Sequence, residues 1–230
     1  MALIHDDEFL KLEKDFPFLG RARKLYGQPI GGLDDMTFVI VDIETTGLDP
    51  ATSEILEIGA IRSRAGQAVD VFHSMVRPTQ IIPPVITSIT GITAEMVAQA
   101  PLAPEVMEKF SQFIQGSVLV AHNTDFDINF LNHHMKASID RKLGVPALCT
   151  VKLSRALLTG LENYKLHTVA KSLNIATPNR HRAMGDAEIT LKIWGQLLGR
   201  LKIQGKKNLQ DISTFLEQAV AQTRANEVPF

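Results

Sequence analysis

A mixed α/β sheet with helices on both faces is predicted by three features of this 230-residue sequence. Three strand-patterned stretches follow one another between residues 37 and 77, and helical and strand-like segments alternate from there to about residue 200. Apolar residues make up 45% of the chain against 21% charged, enough to bury a substantial core. Consecutive strands with short turns pair antiparallel, and strands separated by helices pair parallel, so the expected sheet has three antiparallel strands plus two parallel ones.

The elements follow in order. Residues 1–35 pass from the acidic "HDDEF" through the basic "GRARKLYG" to "PIGGLDD", which reads as an appended helical segment with a Gly-rich linker. The main domain is expected over 36–200. Its strands fall at 37–46, 54–64 and 69–77, the last two joined by the turn "RAGQ". In 103–116, Val106, Phe110, Phe113 and Ile114 recur at helical spacing, Gly116 ends the helix, and the apolar "SVLVAHN" forms the next strand. A helix over 124–137, a strand near 146–150 and helices over 151–159 and 166–174 come next. A long helix over 183–199 carries the stripe Met184, Ala187, Leu191, Trp194 and Leu198. The tail, 201–230, holds one more amphipathic helix marked by Ile212, Phe215, Leu216, Ala219 and Val220.

Several classes are excluded or disfavoured. The longest uncharged run, Pro78 to Ala94, is interrupted by prolines and threonines, and no apolar leader opens the chain, so a cytoplasmic protein without membrane association is expected. Cys149 is the only cysteine, which rules out an internal disulfide and a thiolate zinc site and leaves oxygen ligands for any metal. A net charge of -1 argues against a protein that clamps long duplex DNA, while allowing an enzyme that grips a few nucleotides beside an acidic site.

The stretch "VIVDIETTGLDP" carries the first chemical signal. If it is extended, Phe38, Ile40, Asp42 and Glu44 share one face and Val39, Val41 and Ile43 the other, which sets two carboxylates about 7 Å apart at the end of an apolar strand. A second acidic stretch, "AHNTDFDINFL", lies where a strand hands over to a helix; there Thr124 and Asp127 also fit a capping box. The third is "HRAMGDAE", with Asp186 in a first helical turn and His181 in the loop before it. Together Asp42, Glu44, Asp127 and Asp186 are placed at the carboxyl ends of strands and at helix starts, where sites form in open α/β sheets. Four such acids would repel one another unless cations intervene, and two Mg²⁺ or Mn²⁺ ions about 3.5–4 Å apart would turn that repulsion into binding. Two-metal sites of this type perform in-line displacement at phosphorus, with His181 as candidate general base. His133 and His134 are expected to face outward or sideways on a helix, His5, His73 and His167 to have no acid cluster beside them, and Glu57 to be structural.

"DIETTG", "AHNTDFDINFL" and "HRAMGDA", in that order, resemble the three motifs of the DEDDh group of 3′-5′ exonucleases, the DnaQ-like class that includes the proofreading epsilon subunit of bacterial replicative polymerases. The likeness spans residues 37–198 and takes in "SITGITAEMV" and "LLTGLENYKLHTVAKSLNI". It implies a ribonuclease H-like fold, metal ligands at Asp42, Glu44, Asp127 and Asp186, and His181 as general base; the sister branch has tyrosine where this chain has Arg182. It further implies that Thr45 and Thr46 contact the terminal nucleotide and that Leu48, Ile89 and Phe126 wedge or stack against the last bases, although Leu48 and Ile89 also fit a core reading. Cys149 departs from the pattern, since many relatives place an acid before the threonine. The expected activity is release of nucleoside 5′-monophosphates from 3′ ends of single-stranded DNA, in proofreading or repair, with a DNA polymerase subunit as a candidate partner. Two alternatives stay open: trimming of RNA ends, which differs at the 2′-hydroxyl, and a catalytically silent adaptor docking a polymerase or clamp. "QDISTF" resembles a clamp-binding peptide, but a serine replaces its large apolar residue.

Overall fold

The computed structural model describes residues 32–177 and 181–226, with side chains to residue 221. Of the helical extension and linker expected over 1–35, residues 1–31 lie outside the described residues.

Strands β1 (Thr37–Thr45), β2 (Ile55–Arg64) and β3 (Gln67–Met75) form the antiparallel meander. β4 (Val118–Ala121) pairs parallel to β1, and β5 (Ala147–Cys149) parallel to β4, giving the order β3-β2-β1-β4-β5. The tight turn between β2 and β3 uses Ala65 and Gly66, both at positive φ. β1 is central, and its residues from Phe38 to Val41 are buried on both sides. Alternation sends Phe38 and Ile40 into one core with Trp194, and Val39, Val41 and Ile43 into another with Phe110 and Phe130.

The helices are α1 (Pro84–Thr90), α2 (Ala94–Val97), α3 (Ala103–Phe113), α4 (Thr124–Ile139), α5 (Thr150–Leu157), α6 (Leu166–Ser172), α7 (Ala183–Ile203) and α8 (Leu209–Asn226). α3 and α4 cover one face through Val106, Met107, Phe110, Phe130, Leu131 and Met135. α5 to α8 cover the other, where Trp194 meets Phe38 with ring centroids 4.9 Å apart. α7 buries a wider stripe than the spacing alone marked: Ile189, Ile193, Leu197 and Leu201 join Ala187, Trp194 and Leu198, while Met184 and Leu191 are only partly covered.

Several expectations need correction. α1 and α2 were not anticipated, because helices of seven and four residues are too short to show a period. Their local signals are present nonetheless: Pro84 opens α1, Gly91 closes it at φ 71°, and Thr93 caps α2 by accepting the Met96 N–H. The capping box at α4 does not form. Asn123 precedes that helix at φ 79°, and Thr124 instead donates to the carbonyls of Ala121 and Leu148, tying the helix to β4 and β5. In α8, Ile212 and Leu216 are buried in the α7 core and Phe215 packs against it, whereas Val220 is exposed. The "QDISTF" stretch is therefore a core-facing helical turn. No described helix is long and apolar enough to cross a membrane.

One close approach decides how α7 meets the sheet. A Cβ on Gly59 of β2 would lie 2.4 Å from the carbonyl carbon of Ala183 and 2.4 Å from the nitrogen of Met184, both backbone atoms at the start of α7. Gly59→Ala should force that helix start away from the sheet and lower stability by about 1–3 kcal/mol. Denaturant midpoints of the two proteins check this; equal midpoints would show that the contact carries no constraint.

Candidate metal centre

β1 delivers two acids to the face crossed by α7. Asp42 stands opposite Gly59, and Glu44 opposite Glu57, just before a register shift between Glu44 and Thr45. Because Val41 and Ile43 are fixed in the opposite core, Asp42 and Glu44 cannot turn to that side. Asp186, in the first turn of α7, completes a set in which one carboxylate oxygen from each of Asp42, Glu44 and Asp186 lies within 4.8 Å of the others. Asp127, in the first turn of α4, is buried and outside that set of three. The backbone N–H groups of Asp127 itself and of Ile43, which lies between the two strand acids, favour its ionised form.

The electrostatics follow from this crowding. Burial, then the charges of Asp127, Asp186, Glu44 and Glu57, hold Asp42 well above the usual carboxylate range. Burial likewise raises Asp127 despite its two N–H donors. Glu44 is raised to about 7 by burial and by Asp186 and Glu57, with Arg182 opposing. Sites this reluctant to ionise alone, built only from hard oxygen donors, suit a divalent cation of the Mg²⁺ or Mn²⁺ kind. Asp42, Glu44 and Asp186 would hold it, with Asp127 beside them.

His181 sits at the edge of this cluster, exposed, with φ 62° in the left-handed region, and its N–H donates to Asp186 Oδ2 at 3.2 Å. The next residue turns the other way. Arg182 Nε and Nη2 donate to Glu57 at 3.0 and 2.8 Å, and the Ala183 N–H donates to the same carboxylate at 3.1 Å. His73 Nε2 lies 2.7 Å from it as well, so His73, read in the sequence as having no acid cluster beside it, contacts this single buried carboxylate. Burial would raise Glu57, but its bonds to Arg182, His73 and Ala183 outweigh that and lower it.

His122 was passed over in the sequence, although it lies inside the second acidic stretch. Its Nε2–H donates to the Tyr164 carbonyl at 2.9 Å, and Nδ1 then accepts from the Thr150 hydroxyl at 2.8 Å. Burial pushes it down to about 4, so it is a neutral brace between β4, α5 and the loop before α6. His133 is exposed as expected, while His134 reaches sideways to the Ser53 carbonyl at 3.1 Å.

The residues placed by resemblance at the substrate divide into two kinds. Thr45 and Thr46 are buried and use their hydroxyls internally: Thr45 donates to the Gly47 carbonyl at 2.6 Å, and Thr46 accepts the Glu54 N–H at 2.8 Å. Leu48 is 86% exposed and Ile89 52% exposed, so neither belongs to the core. Phe126 is partly covered and packs on Phe130, with centroids 4.8 Å apart.

Comparison with known proteins agrees with this geometry. The exonuclease family RNase_T matches residues 39–194. The DNA polymerase III PolC-type protein of Caldanaerobacter subterraneus subsp. tengcongensis is 42% identical over 183 residues, 78% of this chain and 13% of that protein. The chain thus spans about 13% of the length of the PolC-type relatives. The DNA polymerase III subunit epsilon of Aquifex aeolicus is 36% identical over 167 residues, 73% of this chain and 83% of that protein. Among solved structures, exonuclease X in complex with 5′-overhanging duplex DNA aligns with TM-score 0.62 and 28% identity over 78% of this chain and 99% of its own. Exonuclease I of E. coli, in a zinc-bound complex with single-stranded DNA, aligns with TM-score 0.65 over 72% of this chain and 41% of its own; at 18% identity it shows the fold alone. The fold is the ribonuclease H-like one of these exonucleases.

The raised acids make a testable coupling. Folding keeps a proton on Glu44 where the unfolded chain has lost it, so the metal-free protein should lose stability as pH rises from the ordinary 4.5 toward about 7. A divalent ion cancels that loss. The increase in Tm on adding Mn²⁺ should therefore be larger at about pH 8 than at about pH 6, and Glu44→Gln should flatten the difference. An increment independent of pH would remove Glu44 from the ion's surroundings.

Proposed function

This chain belongs to that exonuclease family, and on that premise we propose that it hydrolyses phosphodiester bonds from 3′ ends of single-stranded DNA, releasing nucleoside 5′-monophosphates. The observation that carries the reading is the set of three carboxylates within 4.8 Å, on the sheet face crossed by α7, beside the exposed His181. Two Mg²⁺ or Mn²⁺ ions held by Asp42, Glu44, Asp127 and Asp186 would supply charge stabilisation at the phosphate and a more acidic water. His181 takes the proton of the attacking water, the role that an imidazole fills near neutral pH. Asp186 holds the backbone that bears it by accepting the main-chain N–H of His181.

The rest of the site binds rather than reacts. Leu48 and Ile89 offer apolar surface to the terminal bases, a contact indifferent to sequence and weak enough to be remade after each cleavage. Thr45 and Thr46, whose hydroxyls are spent on the turn, shape the ledge that presents Leu48. The relatives named as polymerase III proteins support a proofreading role at a primer end and a polymerase subunit as partner.

Digestion of a 3′-labelled oligonucleotide tests the reading. Asp42→Ala, Asp186→Ala and chelation should each abolish release, and His181→Ala should lower kcat by about 10² to 10⁴-fold. Full activity in chelator would reject the mechanism, and equal rates on matched DNA and RNA would reject the choice of DNA. Leu48→Ala and Ile89→Ala should leave kcat in place and raise KM by about 5- to 150-fold, the equivalent of about 1–3 kcal/mol per stacked base.

A further inference from the structure

Glu57 is a buried acid whose carboxylate is surrounded by donors from the protein itself. It is 1% exposed, sits on β2, and takes four donors: Arg182 Nε and Nη2, the Ala183 N–H and His73 Nε2, all between 2.7 and 3.1 Å. Two of those donor residues follow His181 directly in the chain. We propose that Glu57 is a positioning residue for the hydrolysis: together with Arg182 it seats the turn that aims His181, without touching substrate or ion. The inference rests on His181 acting as the base in the function proposed above.

The geometry of the turn carries the argument. α7 has no side-chain cap of its own, since its N-cap residue is Arg182 and no side-chain bond is made there. Glu57 does the capping from a neighbouring strand, accepting the first N–H of the helix and placing negative charge at its positive end. Gly59, two residues along the same strand and face, lets the backbone of Ala183 and Met184 rest on the sheet. His181 itself is held in a left-handed conformation that a residue with a Cβ seldom adopts. Such a conformation persists only where its surroundings fix it. Here they do so from both sides: Asp186 accepts the His181 N–H, and Glu57 holds the two residues after it.

A bidentate Arg–carboxylate fork fixes direction as well as distance, which an ammonium or an amide would not reproduce. A purely stabilising role is the weaker account. Buried ion pairs contribute little over apolar replacements, and the cost of desolvating Glu57 is spent on the segment that bears the base rather than on the core. His73, on β3, closes the fourth side of the carboxylate and keeps it from turning back toward Glu44.

The test is a double-mutant cycle on the full chain at saturating Mn²⁺, with kcat and KM measured on 3′-labelled single-stranded DNA for wild type, Glu57→Gln, His181→Ala and both together. Glu57→Gln should lower kcat by about tenfold or more with KM within about twofold, and it should add nothing further once His181 is alanine. A purely structural contribution would instead multiply the two losses, and that result, or an unchanged kcat in Glu57→Gln, overturns the proposal. If Glu57→Gln fails to fold, as judged by circular dichroism, Arg182→Lys takes its place in the same cycle, since it keeps the charge and loses the fork. A wild-type rate in His181→Ala would sink the underlying reading whichever way Glu57 behaves, so the two failures are distinguishable.

Discussion

The structure depends on acids that cannot move away from one another. β1 is buried on both sides along its apolar half, and the alternation that places Val39, Val41 and Ile43 in one core leaves Asp42 and Glu44 no choice of face. α7 is clamped across that same face by Ile189, Ile193, Trp194, Leu197 and Leu201, so Asp186 arrives whether or not its charge is welcome. Magnitudes show that this is sustainable. At an effective dielectric of about 20, two ionised carboxylates at 4.8 Å repel by roughly 3.5 kcal/mol. Each large apolar side chain fully buried contributes about 1.5–3 kcal/mol, so two or three residues of the α7 stripe outweigh one such pair. Proton uptake or a cation relieves the remainder.

Two glutamates directly opposite each other on neighbouring strands illustrate how a single residue type is assigned two different tasks. Glu44 and Glu57 share a face, and like charges in that arrangement destabilise a sheet. The chain supplies its own cations and donors to one of them: Glu57 receives Arg182, His73 and a helix N-terminal amide, and its proton affinity falls. Glu44 feels Arg182 only from farther off, and its proton affinity rises to about 7. The first is therefore satisfied from within the protein, and the second is left for something from outside. That contrast separates an acid served by the protein's own donors from the acid proposed as a metal ligand more sharply than burial does.

Much of this was legible in the sequence because it follows from periods. Alternation in β1 put Asp42 and Glu44 on one face, and the 3.6-residue period found α3, α7 and α8. The meander and the two parallel strands followed from the lengths of the connections. What escaped were features set by contacts between distant segments. α1 and α2 are too short to carry a period, and the capping box at Thr124 lost to hydrogen bonds with β4 and β5 that only the folded sheet provides. Glu57 looked inert because its partners lie 16 and 125 residues away. His73 looked isolated for the same reason, and His122 was hidden among the acids of its own motif. Leu48 and Ile89 could not be told from core residues by type, and only exposure separates them.

Exposure alone would not make those two side chains a binding surface, since single apolar residues are common on protein surfaces. Their setting supports the proposed role. The loop that carries Leu48 is tied at both ends: Thr46 and Glu54 exchange backbone and hydroxyl hydrogen bonds, Asp49 closes the turn through Ala51, Thr52 and Ser53, and His134 holds the Ser53 carbonyl from α4. The Glu54 carboxylate then accepts three donors from Thr79 and Gln80, fastening the approach to α1, which presents Ile89. A surface ordered before its ligand arrives loses little further entropy on binding. For the exonuclease proposed above, a ledge ordered in advance, with weak, base-tolerant contacts, would give repeated positioning of a 3′ end without tight retention, and the crowded acids at the end of β1 would then act on the bond so presented.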